Sequence, residues 1–269
     1  MFWVGGFIHA QTIVSPSPTT SVKTSLIYVA ALTLSLASVA HASVTETFSK
    51  TYPLNAQGTV SLQNINGPVE IIGWDKSEVS IEAIKEASDE EGLERIQIKV
   101  DATDTRLVIK TEHEKTWKFW GTFQASVRYT LRVPAGATLD KINTVNASIS
   151  VTGVHGPVNL DTVNGSIHAS GLMADARLDS VNGNLTAEFD SLDKAQNVKL
   201  ESVNGRAEII LPKGASASIS TRSVNGSTHV DQAIKLEKSG HLGVTGQIGT
   251  GGPTIRLETV NGSVSVREK

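Results

Sequence analysis

Leu160-Asp161-Thr162-Val163-Asn164-Gly165-Ser166-Ile167 returns, with small substitutions, at Leu178 to Leu185, Leu200 to Ala207 and Leu257 to Val264. Its centre occurs seven times: Ile65-Asn66-Gly67, Val145-Asn146-Ala147, Val163-Asn164-Gly165, Val181-Asn182-Gly183, Val203-Asn204-Gly205, Val224-Asn225-Gly226 and Val260-Asn261-Gly262. From Asn146 onward the asparagines are separated by 18, 18, 22, 21 and 36 residues. A period near 20 marks an array of one repeated structural unit. The last gap is twice 18, and the Gly-rich stretch between Ser239 and Gly252 reads as a degenerate copy.

Inside each unit, apolar residues such as Ile167 and Ala169, or Leu185, Ala187 and Phe189, alternate with polar ones, the period of a half-buried strand. A second short strand, such as Val158 to Leu160 or Val198 to Leu200, precedes each Asn-Gly. The expected fold is therefore all-β, a parallel β-solenoid (β-helix) of roughly 18–22-residue coils. Asn66, Asn146, Asn164, Asn182, Asn204, Asn225 and Asn261 form its structural corners, because Asn and Gly tolerate the left-handed backbone region. Asn-Gly is also a hairpin signal, so an antiparallel meander competes. Stacked coils reward identical side chains at equivalent positions, whereas a meander does not. At a strand spacing of about 4.8 Å the asparagines could form an amide ladder. Val181 is assigned inward and Thr186 outward.

Other elements are sparser. Ser88 with Glu91 three residues on is a capping box, which predicts one short helix near 88–96. Strands are expected around Val60 to Ile72, Glu78 to Ile84, Ile96 to Val100 and Leu107 to Thr111. The chain divides into a signal segment with extended N-terminus (1–42), an N-terminal β part with the helix and an aromatic loop (43–140), and the Val-Asn-Gly repeats (141–269).

Lys23, the apolar run Leu26 to Leu36 and Ala40-His41-Ala42 give the charged, hydrophobic and small-x-small regions of a signal peptide, with cleavage expected after Ala42. The run is shorter than a bilayer span requires, so an uncleaved anchor is the weaker reading. Residues 1–21 carry no charged side chain, which suggests that translation starts near Val22. The expected location is the periplasm, the cell envelope or the exterior.

Lys plus Arg total 24 and Asp plus Glu 27, a formal charge of -3 over 269 residues. That balance argues against nucleic acid as a partner. With no cysteine, disulfides, thiolate zinc sites, Cys nucleophiles and a lipid-attachment cysteine are excluded. His113, His155, His168, His229 and His241 lack metal-ligand spacing. No Gly-x-Ser-x-Gly elbow or Walker loop occurs, and the glycines of 243–252 lead into a strand rather than a helix. No cofactor is expected.

With these residues in hand, the chain resembles the bacterial "putative adhesin" family of envelope proteins with β-strand repeats, whose function is largely unknown. The resemblance spans roughly residues 55–268. It rests on Asn66-Gly67-Pro68 with Ile71-Ile72-Gly73-Trp74-Asp75, on Tyr129 to Gly136, on the Val-Asn-Gly series, and on Gly246 to Pro253 before the last copy. It implies an envelope location and a β-repeat architecture.

Two features invite binding. The residue three before each asparagine forms a column, Asn143, Asp161, Asp179, Glu201, Arg222 and Glu258, in which like charges need water, Arg222 or a bridging calcium ion. Lys115 to Phe123 concentrates Trp117, Phe119 and Trp120, which suit a capping loop, a partner, a sugar ring or a membrane contact. The expected function is a non-enzymatic, adhesin-like module binding an envelope protein or polysaccharide. The alternatives are a carbohydrate-active β-helix enzyme, which requires a local unrepeated cluster of carboxylates, and an envelope-stress sensing component.

Overall fold

The computed structural model describes residues 43–113, 125–231, 234–240 and 242–269. The described residues from 43 onward form one compact unit with its own core. The signal segment and the aromatic loop with Trp117, Phe119 and Trp120 lie outside the described residues, as does His241.

The fold is all-β with one short helix. In chain order the first part contains β1 (Val44–Pro53), β2 (Thr59–Gln63), β3 (Val69–Trp74), β4 (Glu78–Ala87), α1 (Glu90–Glu94), β5 (Ile96–Ala102), β6 (Arg106–His113) and β7 (Ala125–Pro134). The repeats supply β8 (Thr138–Thr144), β9 (Ile149–Thr152), β10 (Val158–Asn164), β11 (Ile167–Asn182), β12 (Leu185–Asn204) and β13 (Ala207–Leu211). The chain ends with β14 (Ala217–Asn225), β15 (Thr228–Val230), β16 (Ile234–Gly240), β17 (Gly243–Ile248), β18 (Thr254–Asn261) and β19 (Val264–Glu268). The single strand expected from Val60 to Ile72 is two, bent at the Asn66-Gly67-Pro68 corner. The cap of α1 is Asp89, whose carboxylate accepts from Gly92 N at 2.7 Å, one residue later than the capping box implied.

The Asn-Gly corners divide the strands into two walls. Before the corners, pairing runs β5, β6, β2, β8, β10, β11, β12, β18, β14, β17, β16. After them it runs β1, β4, β7, β3, β9, β11, β12, β13, β19, β15. The long strands β11 and β12 belong to both walls. Pairing is parallel throughout the middle and antiparallel only towards the ends.

Register is that of the repeat: Asp161 faces Asp179, Asp179 faces Glu201, and Asn164, Asn182 and Asn204 align. Spatial order nevertheless departs from chain order. β18 and β19 insert between β12–β13 and β14–β15, so Asn261 lies between Asn204 and Asn225. Residues 243–248 are therefore no degenerate coil. They form an antiparallel hairpin with β16 that pairs with β14.

Between the walls lies the core. Leu160, Leu178, Leu200 and Leu257 stack at 0% exposure, and on the other wall so do Ala169, Ala187 and Ile209. Val181 is 41% exposed, so its inward assignment is corrected. The slot beside it, at Ser180, is the one that faces inward. Introducing Leu200→Asp would bury an unpaired carboxylate, and thermal denaturation is expected to show a loss of about 3 kcal/mol or more. Val181→Asp, placed on the outer surface, is expected to cost less than about 1 kcal/mol.

Candidate functional site

Each corner is built from four consecutive positions with different tasks. The asparagines carry an uninterrupted amide chain. Asn146 Nδ2 donates to Asn66 Oδ1 at 2.9 Å, and Asn164 donates to Asn146 at 2.9 Å. Asn182 donates to Asn164, Asn204 to Asn182 and Asn261 to Asn204, each at 2.8 Å. Asn225 donates to Asn261 at 2.9 Å. At the other end, Asn66 Nδ2 donates to the Ala125 carbonyl at 3.1 Å.

The glycines have a second reason besides left-handed backbone. Gly67, Gly205 and Gly262 have positive φ, but Gly165 and Gly183 do not. A Cβ on Gly183 would instead lie 1.8 Å from the Gly165 carbonyl oxygen. Close approach of neighbouring corners thus selects glycine. Ala147 keeps the role of a corner carbonyl by accepting from Thr162 Oγ1 at 2.9 Å.

Two residues before each asparagine except Asn66, where Asn64 stands, sits a buried hydroxyl that the alternation argument passed over. Ser180 donates to Gly165 O, Ser202 to Gly183 O and Thr259 to Gly205 O, each at 3.0 Å, and Ser223 donates to Gly262 O at 2.8 Å. Because the hydroxyl takes the inward slot, the apolar residue after it must point outward. Ile65, Val145, Val163, Val181, Val203, Val260 and Val224 form an exposed column of β-branched side chains. The signal was present in the sequence as an invariant Ser or Thr beside the valine.

The position three before the asparagine lies on the same outer face. Between the carboxylate column and the valine column runs an open groove of about 640 Å³, lined by Asp161, Asp179, Glu201, Glu258, Arg222 and by Val181, Val203, Val260 and Val224. Ser180, Ser202 and Thr259 also line it. A second recess of about 740 Å³ shares Arg222 and Glu258 and continues towards Leu242.

Three of the four carboxylates are neutralised by a basic column two residues earlier, whereas Asp161 follows Asn159. Arg177 Nε is 2.8 Å from Asp179, and its Nη2 is 3.4 Å from Glu201. Lys199 is 2.7 Å from Glu201, and Arg256 is 3.8 Å from Glu258. Arg222, the expected partner of the acids, stands in register with Glu258, away from Asp161 and Asp179. The Asn143 amide nitrogen donates to Asp161 Oδ2 at 3.0 Å, an orientation assigned from the hydrogen-bond network. Among the described residues no group of three or more His, Asp or Glu side chains is placed to hold a metal ion. His168 and His229 are exposed, and both align with the Thr186 column.

Burial pushes the Asp179 carboxyl up to about 6, against the pull of Arg177, with the Glu201 hydrogen bond and the charges of Asp161 and Glu201 adding to the rise. Burial opposes ionisation of Glu201 too, but hydrogen bonds from Lys199 and Asp179 and the charges of Lys199 and Arg177 take it below its usual value. Of this pair, Asp179 is therefore the carboxyl that takes up a proton first as pH falls.

An all-β stack of repeated corners with a neutralised linear groove defines the class: a repeat protein with an extended outer face. The chain belongs to the Toastrack DUF4097 family, whose model matches residues 55–267. Among solved structures, a Clostridium sporogenes protein named "putative cell adhesion protein" is 15% identical, with 83% of this chain and 100% of that chain covered and a TM-score of 0.49. A Bacteroides fragilis "putative adhesin" is 13% identical, with 83% and 97% covered and a TM-score of 0.39. A Parabacteroides distasonis "putative lipid binding protein" is 12% identical, with the same coverage and a TM-score of 0.30. No curated protein matches the chain. Among the described residues no helix is long and apolar enough to cross a membrane.

The raised Asp179 value has a definite sign. A carboxyl whose folded pKa exceeds its unfolded value favours the fold when protonated, and that contribution is lost as pH rises from about 3.8 through about 6. Asp179→Asn is therefore expected to raise the melting temperature more above pH 6 than below pH 4, as read by thermal denaturation at both values.

Proposed function

We propose that this chain is a non-enzymatic, adhesin-like binding module of the cell envelope, built as a parallel β-solenoid, whose groove holds an extended neutral polymer. The observation that carries this reading is the periodic groove: one valine per coil and a carboxylate in each but that of Arg222, repeated along the stack. Such a surface binds through many weak, equivalent contacts rather than through one deep pocket.

The chemistry favours a polysaccharide. Sugar C–H faces suit the valine column, and hydroxyls suit carboxylates that retain acceptor capacity beside Arg177, Lys199 and Arg256. Because those cations offset the acids, the groove has no strong preference for a charged ligand. A sugar ring in an extended chain advances by about one strand spacing of roughly 4.8 Å, so successive rings meet successive coils.

Catalysis is disfavoured because glycoside hydrolysis uses a unique carboxylate pair in a shaped site. Here the acids recur with the coil, and those at Asp179, Glu201 and Glu258 have basic neighbours. Export by a signal peptide cleaved after Ala42 would place the module in the periplasm or outside the cell. The Trp117, Phe119 and Trp120 segment would supply a second contact to the envelope.

The test is co-sedimentation of residues 43–269 with insoluble cell-wall polysaccharide, alongside a pull-down from envelope extract. Val181→Ser with Val203→Ser and Val260→Ser is expected to abolish co-sedimentation while leaving the melting temperature within a few degrees. Unchanged binding by this variant would contradict the groove assignment. Release of soluble sugar would contradict the non-enzymatic reading.

A further inference from the structure

The outermost strand of the post-corner wall is β1, which among the described residues pairs with β4 alone along its whole length, Val44 to Pro53. Val44, Phe48 and Tyr52 are half-buried against the core, while its other residues are exposed. A ten-residue edge rich in Val, Thr, Phe and Tyr is a template for another strand unless something blocks it. On the opposite wall the edge strand β5 carries Lys99 at its midpoint. Self-pairing about that residue would set Lys99 against its own copy, a common guard on sheet edges. β1 has no such guard. Its proline is its last residue, and its two charges, Glu46 and Lys50, stand two residues either side of Phe48.

That symmetry selects one partner and one register. Two copies joined antiparallel about a two-fold axis must be centred on a residue, because facing side chains share a face of the sheet. Centring on Glu46 or Lys50 opposes like charges. Centring on Thr47 sets Glu46 against Phe48 and Lys50 against Val44, and centring on Ser49 sets Glu46 against Tyr52. Centring on Phe48 alone matches every position. Glu46 then faces Lys50 of the copy, twice by symmetry, while Phe48 meets Phe48 and Val44 meets Tyr52. On the other face Thr45 meets Thr51 and Thr47 meets Ser49. Pro53, which cannot donate, falls outside the overlap.

We propose that two copies of this chain pair through β1, antiparallel and centred on Phe48, extending the post-corner wall from one molecule into the next. Glu46 already accepts from Lys85 on β4 at 3.1 Å. In the dimer it lies between Lys85 and the copy's Lys50, a row of alternating charge across three strands. The dimer leaves the groove of each copy free, since that groove is on the other wall.

Sedimentation velocity of residues 43–269 over a range of concentrations tests this. A reversible, concentration-dependent dimer is expected. Lys50→Glu and Glu46→Lys, both exposed substitutions, each set like charges face to face and should weaken self-association roughly tenfold. An equal mixture of these two variants restores both opposite-charge contacts and should recover the dimer. In this cysteine-free chain, Phe48→Cys should crosslink to its own copy under mild oxidation, whereas Thr47→Cys, which faces Ser49, should not. A monomer at every concentration would overturn the proposal. So would a mixture no tighter than its components, or crosslinking at position 47 as fast as at 48.

Discussion

From Gly165 onward, neighbouring corners approach so closely that no side chain fits between them. A Cβ at Gly165, Gly183, Gly205, Gly262 or Gly226 would lie 1.7 to 2.0 Å from the carbonyl oxygen of the adjacent corner. This contact aligns the coils, because once corner rests on corner every equivalent residue is brought into register. The asparagine chain, the buried hydroxyls and the leucine stack are consequences of that alignment. Each hydroxyl in turn caps the very carbonyl whose proximity forbids a side chain, so close approach leaves no buried acceptor unsatisfied.

Because contacts are between nearest neighbours, stacking order need not follow chain order. The final repeat occupies the place between Asn204 and Asn225, where both of its sides meet equivalent residues. The antiparallel hairpin of β16 and β17 then covers β14, and β4 with β7 covers the opposite end of the stack. Antiparallel strands terminate the parallel array at three of its four wall ends, and at the fourth the three-residue β15 pairs in parallel with β19.

Much of this was legible in the sequence. The Val-Asn-Gly phrase and its period led to the all-β class and to aligned parallel strands, since identical residues recur only where neighbours are equivalent. Three of the misreadings bear on the corners, each for a physical reason. Val181 was placed inward because apolar residues usually are, yet the Ser180 hydroxyl had a buried carbonyl to satisfy and took that slot. Glycine was explained by backbone freedom alone, which holds at Gly67, Gly205 and Gly262, whereas Gly165 and Gly183 are selected by the missing Cβ. Arg222 was matched to the acids by chain order, while the insertion of β18 leaves Arg177 to bridge Asp179 and Glu201. A groove arising from the resulting columns could not be read from any one repeat, because its two rims come from neighbouring positions and its length from the stack.

The most direct measurement is the stability of Gly183→Ala beside Gly240→Ala by chemical denaturation. At Gly183 the added carbon meets the Gly165 carbonyl at 1.8 Å, whereas at Gly240 its nearest neighbour is 3.9 Å away. Contact between corners predicts a loss of about 3 kcal/mol or more for the first and less than about 1 kcal/mol for the second. Equal, small effects at both positions would mean that the corners do not touch, and the alignment of the coils would need another cause.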